Sequence, residues 1–167
     1  MPEQQPDNVR HPSHYEIYEV QPIEITRFLG FCLGNSTKYV LRAPWKGGVE
    51  DCEKALQYLV WERETPQDRL SEVSVISVED ACKRLVHCLS SQEGDRLWRD
   101  MTTAQQQFIA ALQEYARTVG SWPMSRSRGH LENMREAVEY LKHILSIRYS
   151  STRYVGMTGR PYTPEEE

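Results

Sequence analysis

An all-α fold is what this sequence predicts, and three observations carry it. Apolar residues recur at helical spacing in successive stretches, and the Pro and Gly residues collect between those stretches. Only one short segment, Ser71 to Val78, alternates polar and β-branched residues. A strand without a partner is not stable, so that segment reads as a linker. The expected architecture is a helical hairpin core carrying additional C-terminal helices. At 167 residues, 39% of them hydrophobic and 26% charged, the chain is long enough for one core and polar enough for a water-soluble domain.

The elements follow in order. Residues 1–10 are polar with two prolines and read as a flexible N-terminus. His11 to Tyr15 form an extended piece, because the residue before Pro12 is pushed out of the α region. A first helix starts near Pro22 with Ile25, Phe28, Leu29, Cys32 and Leu33 facing inward, and Gly30 breaks it. Two helical patterns then fill Phe31 to Glu64, separated by Ala43-Pro44-Trp45-Lys46-Gly47-Gly48, where Pro44 stops one helix and the glycine pair frees the reversal. Residues 11–64 form the expected core and residues 65–149 a helical extension. In that extension Ser77 to Asp80 reads as a capping box ahead of Val78, Ala81, Cys82, Leu85, Val86 and Leu89. A short helix at Asp95 to Met101 precedes a longer one opening at Thr102-x-x-Gln105, with Phe108, Ile109, Leu112, Tyr115, Ala116 and Val119 inward and Gly120 as its stop. The last helix runs from about Leu131 to Arg148 on Met134, Val138, Leu141 and Leu145. Its Gly129, Glu132, Ala137 and Tyr140-Leu141 echo Gly47, Glu50, Ala55 and Tyr58-Leu59. Residues 150–167 read as a mobile tail.

Composition excludes several classes of function. A net charge of −4 argues against a general nucleic-acid binder. No apolar run approaches the roughly 18 residues that span a bilayer, and the first ten residues lack the apolar segment of a signal peptide, so a cytoplasmic location is expected. Cys32, Cys52, Cys82 and Cys88 contain no C-x-x-C pair and read as reduced thiols, mostly buried. Cys82, His87 and Cys88 match no standard zinc spacing.

The chemistry-bearing residues concentrate in the hairpin. Asn35, Lys38, Tyr39 and Arg42 fall at i, i+3, i+4 and i+7, which lays an amide, an ammonium, a phenol and a guanidinium along one side of a helix. Glu50, Lys54 and Tyr58 repeat at i, i+4 and i+8 on the next helix with Asp51 beside them. Folded back, the two rows share one groove. The plain alternative is a solvated face of i,i+4 ion pairs. A second candidate is Ser121 to His130, where Arg126 and Arg128 in a loop would make a lid over a phosphate.

The ordered set His11-Pro12-Ser13-His14-Tyr15, Gly34-Asn35-x-x-Lys38-Tyr39-x-x-Arg42, Lys46 and Glu50-Asp51-x-x-Lys54-Ala55-x-x-Tyr58 resembles a small phage-encoded domain family of formerly unknown function. That family includes the nucleotide kinase of T-odd coliphages. The resemblance covers about residues 11–64. It implies a deoxynucleoside monophosphate kinase that takes a nucleoside triphosphate as phosphate donor, acts in the host-cell cytoplasm and forms a homo-oligomer. Where relatives commonly have Arg-Ala-Gly-Lys-Lys, this chain has Arg42-Ala43-Pro44-Trp45-Lys46.

There is no G-x-x-x-x-G-K-S/T loop, so a P-loop mechanism is excluded. Transfer to a monophosphate oxygen needs no strong base; it needs two mutually repelling phosphates held in line and their charge neutralised. Lys38, Arg42 and His14 are the residues expected to do this. Tyr15, Asn35, Tyr39, Lys46, Lys54, Glu50 and Asp51 are expected to bind substrate, and Glu50 and Asp51 to hold magnesium if a metal is used. Because Lys38 and Arg42 lie on a polar face, replacing either is expected to leave folding almost unchanged. Two other classes remain open. One is a protein that binds and sequesters a nucleotide without turnover, which would act against a host defence. The other is a helical nucleoside-triphosphate pyrophosphohydrolase, for which Glu50-x-x-Glu53 supplies only half of the acidic motif. Trp45, Trp61, Trp98 and Trp122 are candidate anchors for an oligomer interface.

Overall fold

The computed structural model of the chain describes residues 18, 20–64, 72–118 and 125–151, with side chains over 18, 20–64, 74–118 and 126–147. His14, Tyr15, Trp122 and the tail lie outside the described residues. The fold is all-α. Among the described residues there are six helices: α1 (Pro22–Thr26), α2 (Phe31–Arg42), α3 (Gly48–Glu64), α4 (Glu72–Ser90), α5 (Arg96–Thr118) and α6 (Ser125–Ser151).

The long helix α5 organises the rest. It packs on α4, α6 and the end of α2, while α3 lies between α2 and α6, and α1 bridges α2 and α4. Most of the expected apolar stripes are buried, but Phe28, Leu29, Cys32 and Val86 are only part-buried, and Val60, which the spacing places inward on α3 with Cys52, Ala55, Leu56 and Leu59, is exposed. Phe108, Ile109 and Leu112 of α5 meet a core that includes Leu41 of α2, Leu85 of α4 and Leu141 of α6, all fully buried. Cys52 and Cys82 sit in that core, and burial pushes both thiols up to about 12, so they act as small neutral hydrophobes. At the surface, ion pairs join Arg84 to Glu24, Arg117 to Glu79 and Lys142 to Glu53. Such exposed pairs are each worth less than about 1 kcal/mol.

The helix ends depart from the sequence reading in three places. Residues from Glu72 onward are helical, so the expected linker up to Val78 is instead the first turns of α4. Val78 is fully buried, and packing of that side chain overrides the local preference of its β-branched neighbours. The expected split near Thr102 is absent from a single α5. Its start is capped by Asp95, whose Oδ1 accepts the Trp98 amide at 2.8 Å. Thr102 donates its hydroxyl back to the Arg99 carbonyl at 3.0 Å, and Gln105 reaches another helix altogether. Finally, α6 begins at Ser125 and not near Leu131. Arg126 and Arg128 therefore lie in helical backbone, not on a loop.

The tryptophans nominated as interface anchors divide. Trp98 is buried and Trp45 is part-buried against it, ring centroids 4.9 Å apart, so both belong to the core. Trp61 is exposed. No helix of the described residues is long and apolar enough to cross a membrane.

Candidate functional site

The reversal between α2 and α3 is held from both sides. A helix ends with carbonyls that have no partner inside it. Here those of Tyr39 and Arg42 accept amides of the turn, from Ala43 and from Trp45 and Lys46. Those of Leu41 and Val40 are met by side chains: Tyr18 donates its hydroxyl to Leu41 at 2.6 Å and Gln105 Nε2 donates to Val40 at 3.0 Å. Trp45 Nε1 donates to the Tyr18 hydroxyl at 3.2 Å. Gly48 closes the reversal with φ of 54°, a left-handed conformation that a side chain would strain.

This fixed turn presents Arg42 to Asp51. Arg42 Nε donates to Asp51 Oδ2 at 2.7 Å and Nη2 to Oδ1 at 2.9 Å, a bidentate pair, and the Gly47 amide adds a third bond at 3.2 Å. Asp51 is 0% exposed. The expectation that replacing Arg42 leaves folding almost unchanged is thereby corrected. Removing its guanidinium leaves a buried carboxylate without its counter-ion, which costs folding stability as well as any binding function.

The other residues of the two rows gather around Tyr39. The ammonium of Lys38 lies 4.4 Å from its ring centre, the Arg42 guanidinium 5.0 Å and the Lys54 ammonium 5.7 Å. These are cation–π distances. Lys38 donates to Asn35 Oδ1 at 2.8 Å, and Asn35 in turn donates to the Phe31 carbonyl at 2.8 Å. Lys54 pairs with Glu50 at 2.5 Å. The hydrogen bond from Lys54 holds the Glu50 carboxyl below its ordinary range, and the same bond raises Lys54. The two rows aligned by the spacing are therefore brought side by side, with Lys38, Arg42 and Lys54 around Tyr39 and Asp51 buried behind Arg42.

An aromatic ledge continues from it. Tyr58 stacks on Tyr39 with centroids 5.9 Å apart and planes 18° from parallel, and it meets Phe31 at 5.8 Å and Trp61 at 5.2 Å edge-on. Phe31 is 71% exposed and Trp61 45%. The sequence reading missed Phe31 and Trp61 as site residues and left Tyr58 as a motif position. The available signal was Lys54, Tyr58 and Trp61 at i, i+4 and i+7, an aromatic stripe on a face the core does not use.

Other nominated residues lie apart. Lys46 sits in the turn, part-exposed, and makes no ion pair among the described residues. Arg126 and Arg128 are on α6, which packs on α3 and α5. The carboxylates considered for magnesium are turned apart, Asp51 inward to Arg42 and Glu50 outward to Lys54. No group of three His, Cys, Asp or Glu side chains able to hold a metal occurs among the described residues. As placed, the pair does not form the donor set magnesium takes. Glu53, the partner of Glu50 in the half-motif for pyrophosphate release, faces Lys142 at 3.2 Å.

A protein-family model described as a protein of unknown function (DUF3310) matches residues 9–60, the hairpin and the segment before it. The chain is similar to that small family over this stretch. No curated protein and no solved structure matches the chain.

Proposed function

We propose that the α2–α3 hairpin is a nucleotide site and that the protein acts there as a deoxynucleoside monophosphate kinase. The observation that carries this reading is the ring of Lys38, Arg42 and Lys54 around Tyr39, opening directly onto the ledge of Tyr58, Phe31 and Trp61. A nucleotide needs both halves, a flat apolar face for the base and cations for the phosphate. Arg42 is fixed by Asp51, so it acts as a positioned charge, while Lys38 and Lys54 can exchange their surface partners for phosphate oxygens. In the transfer, an oxygen of the monophosphate attacks the γ-phosphorus of the triphosphate. The bond to the bridging oxygen breaks, and its electron pair leaves on the diphosphate. Magnesium would enter as the companion of the triphosphate. The resemblance to the phage-encoded family supports the direction of transfer, the bacterial cytoplasm as its place and a homo-oligomer as its form.

The fixed Arg42–Asp51 pair also favours a second reading, sequestration of a nucleotide without turnover, since a preformed ion pair binds without rearranging. One experiment separates the two. The protein is incubated with each deoxynucleoside monophosphate and a triphosphate donor, and products are resolved by chromatography. Diphosphate formation that Lys38→Ala reduces by about 10²-fold, the scale of losing one preorganised donor, supports the kinase. Tight binding of unchanged nucleotide supports sequestration. Neither binding nor product overturns both.

A further inference from the structure

We infer that the groove between the C-terminal half of α3 and the first turns of α6 is a second ligand site, for a small phosphate monoester carrying an apolar, planar body. The groove encloses a cavity of about 330 Å³ whose floor is Leu56, Leu59, Val60 and Leu131. That volume lies within the usual range for small-molecule sites. Its rim is Arg63, Arg128 and Arg135, with Glu132 the one carboxylate. Glu132 is hydrogen-bonded by Arg135, through contacts of 2.6 and 2.9 Å, and also feels the charge of Arg63, while Arg135 faces Glu139 as well at 3.8 Å. Arg63 and Arg128 make no ion pair among the described residues. In a chain of net charge −4, two guanidiniums over an apolar floor form a local inversion of charge.

The backbone adds to this. The first turn of α6 holds no acidic residue but carries Arg126 and Arg128. The amides of a helix start already favour an anion, so cations there repel the helix's own positive end. An anion bound beside Arg128 relieves that repulsion, and Arg63 lines the same cavity. Gly129 lines the same groove, and a Cβ built on it would meet nothing within 4 Å. A glycine inside a helix is unfavourable, and here it leaves the backbone open to close approach.

The lining selects the ligand's class. Guanidinium forks match the oxygens of a phosphate bidentately, and the double charge of a monoester balances the two arginines. An inorganic anion would leave the leucine floor unused, and an apolar molecule would leave the arginines unused. The site is separate from the hairpin groove. Leu56, Val60 and Arg63 run at i, i+4 and i+7 on α3, and Lys54, Tyr58 and Trp61 run at the same spacing about half a turn away.

Calorimetric titration of the full chain with phenyl phosphate tests this. Saturable binding that persists in Lys38→Ala, where the proposed nucleotide site is crippled, is expected, and in that background Arg63→Ala and Arg128→Ala should each weaken it about tenfold or more. Gly129→Leu should block the groove and abolish binding, with an unchanged helical circular dichroism signal. Binding that remains in the Lys38→Ala background belongs to this groove and not to the hairpin, so this site stands or falls apart from the proposed kinase. Inorganic phosphate and phenol should each bind at least about tenfold more weakly than phenyl phosphate. The inference is overturned by absence of binding at millimolar phenyl phosphate, by inorganic phosphate binding equally well, or by full affinity in Arg128→Ala or Gly129→Leu.

Discussion

The α2–α3 hairpin and the α5–α6 pair use the same helical geometry in opposite ways. On α5 and α6 the buried side chains are mostly apolar, Phe108, Ile109, Leu112, Met134, Val138 and Leu141 among them, and the buried polar ones, Thr102, Gln105 and Ser127, carry no charge. In the hairpin the interior holds Ser36, Thr37, Asp51 and Glu62, while Phe31, Val60 and Trp61 stand exposed. Ser36 donates to the Ala55 carbonyl at 3.0 Å and Tyr115 to Glu62 at 2.8 Å, so this polar interior is bonded, not merely tolerated. Burying charge and exposing aromatic rings both oppose stability. Those costs fall on the hairpin, and the proposed nucleotide site would account for them.

That contrast can be broken most directly at its two centres. Phe108→Ala should cost about 3–5 kcal/mol in urea unfolding and leave nucleotide affinity per folded molecule unchanged. Asp51→Ala should cost a comparable amount, about 3–5 kcal/mol, because it strands the Arg42 guanidinium. Unlike the scaffold change it should also weaken nucleotide binding, and a loss of stability below about 1 kcal/mol would show that the pair is solvated. Next in size, Trp61→Ala should lower nucleotide affinity by about 1–3 kcal/mol, as loss of a stacking face does. Its melting temperature should hardly move, since the ring is exposed. Unchanged affinity in a direct titration would remove the ledge from the site.

Smaller effects sharpen the same comparison. Gly129→Ala should raise stability by about 0.5–1 kcal/mol, since the added methyl meets open space and the helix loses a flexible residue. A thermal melt that falls would place something in that groove. Last comes a pH effect at the join of α1 and α4. The hydrogen bond from Arg84 holds the Glu24 carboxyl below its ordinary value of 4.5. A depressed carboxylate stabilises above that value and loses its contribution as pH falls through the lower folded one. Glu24 is part-exposed, so the loss should be small and shrink further in high salt. Arg84→Ala should erase it in acid titrations followed by circular dichroism.

How much of this was legible depended on whether the deciding partner was local. The ends of α2 and α3 were readable because Pro44 and Gly48 act on their own backbone. The row of Lys38, Arg42 and Lys54 was readable because helical spacing alone aligns it. The extra break in α5 was a false signal for the converse reason. Thr102 and Gln105 have the residue types of a cap, but Gln105 is claimed by the end of α2, a partner 65 residues away. The start of α4 was hidden by β-branched residues whose burial only tertiary packing decides. The Arg42–Asp51 bond lay between extremes: the shared groove was foreseeable, but the complete burial of Asp51 was not, because burial depends on what covers the turn. Phe31 was passed over because a single aromatic residue on a helix reads equally well as core, and Trp61 was assigned to an oligomer interface because spacing does not say what an exposed ring meets.

The cap on α2 has a consequence in time. Val40 leaves the ribosome 65 residues before Gln105, which at about 5–20 residues per second is a wait of roughly 3–13 s. During that interval the hairpin has its own turn but lacks the Gln105 side chain that finishes the end of α2. Its final order is therefore set by a segment made much later. A nascent chain stalled just after Glu64 should give protease-sensitive helices, and one stalled beyond α6 should give resistant ones. Pulse proteolysis of the two would show that a hairpin made well before α5 becomes rigid only after it.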